Sequence, residues 1–116
     1  MENNSQIDNT IQQSGNVKIS DEVVSTIAGL AATEIDGVYG MSGGFADIFG
    51  GKKNLSKGVK VEITEDEATV DLYVIVDYGV KIPDIAWKVQ ENVKNTVETM
   101  TGLRISEVNM HVQGVN

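Results

Sequence analysis

Apolar and polar residues alternate through two stretches in the middle of the chain. Val59, Val61 and Ile63 interleave with Lys60, Glu62 and Thr64, the period of a strand with one face buried. After the acidic run Glu65-Asp66-Glu67, Ala68, Val70, Leu72, Val74 and Val76 interleave with Thr69, Asp71, Tyr73, Ile75 and Asp77. This second stretch predicts the longest strand, central in its sheet, and the acids before it predict the turn of an antiparallel hairpin. Tyr73 and Ile75 fall on the outer side, which implies that this face is partly covered or used in association.

Two other stretches switch to a helical period. Ser20 is a good N-cap, followed by Asp21 and Glu22 in the first turn, where carboxylates oppose the helix dipole. Ile19 and Val24 match a hydrophobic staple. Val23, Ile27, Leu30 or Ala31, and Ile35 recur at helical spacing and are expected to form the apolar face. Ala28, Gly29, Ala31 and Ala32 make this helix thin enough to approach a sheet or another helix closely, and Asp36-Gly37 offers a left-handed exit. The second helix opens near Pro83 and Asp84, carries Ile85, Ala86, Val89, Val93, Val97 and Met100 as its stripe, and stops at Gly102. Trp87, the sole tryptophan, points roughly away from that stripe and is expected to be exposed.

The last apolar run changes parity, from Leu103 and Ile105 to Val108, Met110 and Val112. A β-bulge near Ser106-Glu107 would reset the inward face and send Asn109 and His111 outward. With an extended lead-in at Val17-Lys18-Ile19 and a strand within residues 37–41, these elements predict an α+β domain. Its mainly antiparallel sheet of three to five strands carries two amphipathic helices packed on one face. Residues 1–16 are polar and poor in apolar anchors, predicting a disordered tail ahead of a single domain over residues 17–116.

Composition narrows the chemistry. The 116 residues suffice for one core, and the absence of cysteine excludes disulfides and thiolate metal sites. No stretch approaches the roughly 20 apolar residues of a membrane span, and the N-terminus lacks the features of a signal peptide, so a cytoplasmic location is expected. A net charge of −8 disfavours non-specific nucleic-acid binding. Lys52, Lys53, Lys57 and Lys60 nonetheless lie in an acid-free stretch of a Gly-rich region, residues 37–60.

Glycines followed by lysines suggest a phosphate loop, but the window ending at Lys52-Lys53 has Ala46 where the first glycine belongs and Lys53 where a hydroxyl should hold magnesium. Gly40-Met41-Ser42-Gly43 has the GXXG form of RNA-binding KH loops, so a small RNA- or phosphate-ligand-binding module is the alternative reading. His111 reads as a surface-facing strand residue, and the acidic turn lacks calcium-loop spacing. No catalytic residue, cofactor or metal site is expected. The remaining candidate is a contact site: Phe45, Ile48 and Phe49 at i, i+3, i+4, followed by Lys52 and Lys53, form an apolar knob beside positive charge. The same phenylalanines could instead close as a lid over a small core. Trp87 is a further candidate for a protein contact.

Several segments together resemble the alkaline shock protein family of Gram-positive bacteria, the cell-envelope stress-response proteins. They are Ile19-Ser20-Asp21-Glu22-Val23-Val24, Gly37-Val38-Tyr39-Gly40-Met41, Lys57-Gly58-Val59-Lys60-Val61, Asp77-Tyr78-Gly79-Val80-Lys81-Ile82-Pro83, Val89-Gln90-Glu91-Asn92-Val93-Lys94, and Met100-Thr101-Gly102-Leu103 with Val108-Asn109-Met110-His111-Val112. The resemblance implies a non-enzymatic cytoplasmic protein, prone to self-association and gathered beneath the membrane by a membrane-anchored partner. It brings no catalytic residues. It implies that Gly37, Gly58, Gly79, Gly102 and Pro83 serve the fold.

Overall fold

The computed structural model describes residues 18–42 and 57–116. Its elements in order are α1 (Asp21–Thr33), β1 (Val38–Met41), β2 (Val59–Thr64), β3 (Glu67–Val76), α2 (Ile82–Thr101) and β4 (Arg104–Val115). The expected tail, residues 1–16, lies outside the described residues, and Lys18 and Ile19 belong to no strand.

β2 and β3 form the hairpin expected from their alternation, closed by Glu65 and Asp66, with Glu65 in the left-handed region at φ 43°. β3 is the centre of the sheet. One of its edges is lined end to end by two antiparallel partners, β2 along Glu67 to Leu72 and β1 along Val74 to Val76. Its other edge carries β4 in parallel over the whole length, after a return through α2. The architecture is therefore α+β with two of three strand pairings antiparallel and both helices on one face.

Alternation along β3 sets the core. Ala68, Val70, Leu72, Val74 and Val76 are buried toward the helices, joined by Val38 of β1 and Ile105 of β4. α2 contributes Ile85, Val89, Val93 and Val97, an unbroken i+4 row. Met100 continues the expected stripe in angle but is 66% exposed, so the buried row ends at Val97. Pro83 sits in the first turn, one residue beyond the first helical position, and Gly102 caps the helix in the left-handed conformation.

α1 meets expectation only in part. Ser20 caps it as predicted, its hydroxyl accepting from the Val23 N–H at 3.2 Å. Of the expected apolar face, Ala31 is buried and Ile27 and Ile35 pack half-buried against the core, but Val23 and Leu30 are 47% and 45% exposed, and the buried centre is Val24, Ala28, Ala31 and Ala32 with Ser25 and Gly29. The helix thus turns its small residues inward and approaches its neighbours closely. It also ends three residues early, at Thr33, and the carbonyls before that residue find partners. Leu30 and Ala32 accept from the Glu34 and Ile35 N–H groups, and Ala31 accepts from the Asn92 side chain of α2 at 2.8 Å.

β4 contains the expected bulge: Ile105 pairs with Ala68 but Glu107 with Thr69, leaving Ser106 as the extra residue. A second bulge at Gln113 carries the strand on to Val115, beyond the end read from its apolar run.

Candidate interaction surfaces

The geometry of β3's divided edge concentrates at Tyr73. Its carbonyl accepts from the Ser42 N–H and its own N–H donates to the Gly58 carbonyl, both at 2.7 Å. β1 therefore ends and β2 begins against the same residue. Gly58 makes this junction possible: its φ is +81°, and a Cβ would stand 2.5 Å from the Ser42 oxygen and 2.9 Å from the Tyr73 oxygen. Of the contact residues expected from sequence, Phe45, Ile48, Phe49, Lys52 and Lys53 lie outside the described residues. Gly40 and Met41, from the GXXG-like motif, are paired in β1 with Ile75 and Val74.

The helix-free face of the sheet carries a polar and aromatic group that periodicity does not assemble. Parallel pairing sets Asn109 beside Asp71 and His111 beside Tyr73. The Asp71 Oδ1 accepts from the Asn109 Nδ2 and lies 3.2 Å from the His111 Nε2. The His111 ring stacks on Tyr73 with centroids 4.5 Å apart and planes within 12°. Lys60 of β2 pairs across from Asp71, so the row runs cation, carboxylate, amide. Sequence parity sends Asn109 and His111 outward correctly, but which β3 residues they meet depends on the parallel register. Among the described residues no hydroxyl hydrogen-bonds His111, and no three metal-ligating side chains converge. The arrangement suits surface recognition through stacking and hydrogen bonds; Asp71 and His111 side chains remain 30% and 42% exposed.

Trp87 is exposed, as its helical position predicts, with 64% of its surface accessible. It lies on the flank of α2 that also bears Gln90, Lys94 and Glu98. Two of these reach the outer edge of β4. The Gln90 Nε2 donates to the Val108 carbonyl at 3.0 Å, and a Glu98 carboxylate oxygen accepts from the Ile105 N–H at 2.9 Å.

With this geometry in view, comparison with known proteins decides the lineage. The model of the alkaline shock protein 23 family, described as having a cell envelope-related function, matches residues 9–116. The chain belongs to the alkaline shock protein 23 family. Among its relatives is the uncharacterized protein YqhY of Bacillus subtilis (strain 168), 48% identical over 105 residues that cover 87% of this chain and 77% of that one. Another protein of that organism, the uncharacterized YloU, is 40% identical, with 87% and 88% covered. A stress response regulator gls24 homolog of Streptococcus pyogenes serotype M3 (strain ATCC BAA-595 / MGAS315) is 32% identical over 84% of this chain, which spans 57% of that relative's length. Solved structures of MamM CTD variants share the fold, with a TM-score of 0.51 at 17% identity, covering 80% of this chain and 94% of the other. That likeness concerns the fold alone. Membership of the family agrees with the resemblance read from the sequence motifs, and the family's described function is cell envelope-related. Among the described residues no helix is long and apolar enough to cross a membrane.

Proposed function

We propose that this alkaline shock family chain is a non-enzymatic protein-interaction and self-assembly module of the cell-envelope stress response, gathered at the inner face of the membrane by a membrane-anchored partner. The observation that carries this reading is Trp87: a small domain leaves its one tryptophan 64% exposed on a helix whose core stripe is complete without it. Tryptophan is the residue most enriched at the energetic centres of protein interfaces, so an unburied one on a regular helix suits a contact made with another protein. The relative named as a stress response regulator and the family's envelope-related description point the same way. The knob of Phe45, Ile48 and Phe49 beside Lys52 and Lys53 is the second contact in this proposal.

Cross-linked pull-down and membrane fractionation from the native cell test it. The expected result is recovery of a membrane-anchored protein with the wild type, reduced by Trp87→Ala and by Phe45→Ser with Phe49→Ser. A protein that stays in the soluble fraction and captures no membrane protein would rule out recruitment. Titration with single-stranded RNA at several salt concentrations addresses the alternative reading, and salt-sensitive binding at micromolar protein would favour it.

A further inference from the structure

The outer edge of β4 is the longest strand edge with no strand partner among the described residues. Long open edges invite pairing with another chain, and proteins usually blunt them with lysine, proline or a covering element. Here the cover is partial. In a parallel ladder alternate residues turn their backbone groups away from the neighbouring strand, and Ile105, Val108, Met110 and Val112 are those residues once the Ser106 bulge is counted. Glu98 and Gln90 occupy the Ile105 N–H and the Val108 carbonyl. Nothing among the described residues takes up the outward groups of Met110 and Val112, which lie in the regular stretch between the two bulges.

From these observations we infer that a second copy of this chain pairs with the β4 edge, antiparallel, about a two-fold axis through His111. Met110 of each copy then exchanges backbone hydrogen bonds with Val112 of the other, and the two His111 residues face each other as a non-hydrogen-bonded pair. This register uses the two residues left open and spares the carbonyl that Gln90 holds. Charge permits a copy of the same chain here, and the register above is its own complement. On a molecule of net charge −8, residues 108–116 contain no Asp, Glu, Lys or Arg, so two identical edges meet here without like-charge repulsion.

The second, independent observation is the position of Trp87. Gln90 and Glu98 bond to Val108 and Ile105 respectively, so α2 runs antiparallel to β4. One turn before Gln90, Trp87 stands about 4.5 Å further along, level with residues 109–111 at roughly 3.3 Å per strand residue. It therefore flanks the axis on the helix side of the sheet. Pairing of the edges brings the two α2 helices side by side and covers both tryptophans. The inference rests on the self-assembly part of the function proposed above and gives it a surface.

Because the chain has no cysteine, a single introduced one reports the register. Facing residues of a non-hydrogen-bonded pair have Cα atoms about 4.5 Å apart, within disulfide reach. Under mild oxidation the full-length H111C variant should become a covalent dimer. The N109C variant, whose copy would lie about 13 Å away along the strand, should not. Sedimentation of wild type across a concentration series should show dimer formation, with a blue shift of the tryptophan emission on dimerisation. H111K, which sets like charges face to face on the axis, should raise the dimer dissociation constant at least about tenfold with an unchanged circular dichroism spectrum. Equal cross-linking of H111C and N109C, or self-association untouched by H111K, would overturn this interface while leaving self-assembly intact. A wild type that stays monomeric at about 100 μM would overturn both.

Discussion

The two helices cover the same face of one sheet by opposite means. α2 presents a row of buried branched side chains, Ile85, Val89, Val93 and Val97, and keeps its bulk between itself and the strands. α1 presents Ala28, Ala31 and Ala32 with only Val24 as a larger buried residue, and leaves Val23 and Leu30 half outside. One helix is held by volume and the other by proximity. The difference teaches that an apolar stripe identifies a buried face only where the neighbour stands far enough away to leave room for it.

The sharpest way to break this comparison is to add volume where α1 comes close. Ala28 has no accessible surface, so Ala28→Leu must displace the sheet or α2 and should cost about 3 kcal/mol, measured as a fall in the urea midpoint. If Ala28→Leu were neutral, the small-residue face would not be the packed one. Removing volume from α2 should give the next largest effect. Val93→Ala leaves a cavity in a site without exposure and should cost about 2 kcal/mol; a loss below about 0.5 kcal/mol would mean that the helix can settle inward to fill it.

The same contrast explains what can be read in advance. α2, its exposed Trp87 and the β2–β3 hairpin follow from periodicity alone, because their inward residues are large and their outward ones polar. The Ser106 bulge is legible too, since one inserted residue reverses the parity of Ile105 and Val108. Periodicity places Ile27 and Ala31 of α1, and Ile35 just beyond it, against the core but wrongly adds Val23 and Leu30, because Ala28, Gly29 and Ser25 carry little hydrophobic signal, although all three are buried. The join between Asp71 and His111 leaves no local mark: a parallel pairing across the length of α2 has a register that neither strand's own sequence encodes. The second bulge is hidden by Gln113-Gly114, which resembles the end of a strand. The Phe45 to Lys53 site lies outside the described residues.

A smaller effect should come from the contact that joins the helices. Asn92 donates both to the Ala31 carbonyl and, at 3.0 Å, to the Glu34 carboxylate, so it serves α1 as a C-terminal cap delivered from α2. Asn92→Ala should cost about 1 kcal/mol, and hydrogen exchange should quicken in the last turn of α1 while the amides of α2 keep their protection. Uniform acceleration across both helices would show that Asn92 supports the whole domain and is no local cap.

The smallest expected effect is the most discriminating. If Val23 and Leu30 were core residues, as helical spacing suggests for Val23 and allows for Leu30 in place of Ala31, Val23→Ser with Leu30→Ser would cost several kcal/mol by loss of buried apolar area. Their exposure of 47% and 45% predicts instead a stability change within about 0.5 kcal/mol for each substitution. The stability of the double variant therefore separates the two orientations of α1 directly. Combined with Ala28→Leu, it tests both sides of one helix: tolerance outside and intolerance inside fix the rotation of α1 about its axis without reference to any other contact. A severe loss from the serine pair would require α1 to be turned by about 100° per residue of offset, and the thin face would then be exposed to solvent.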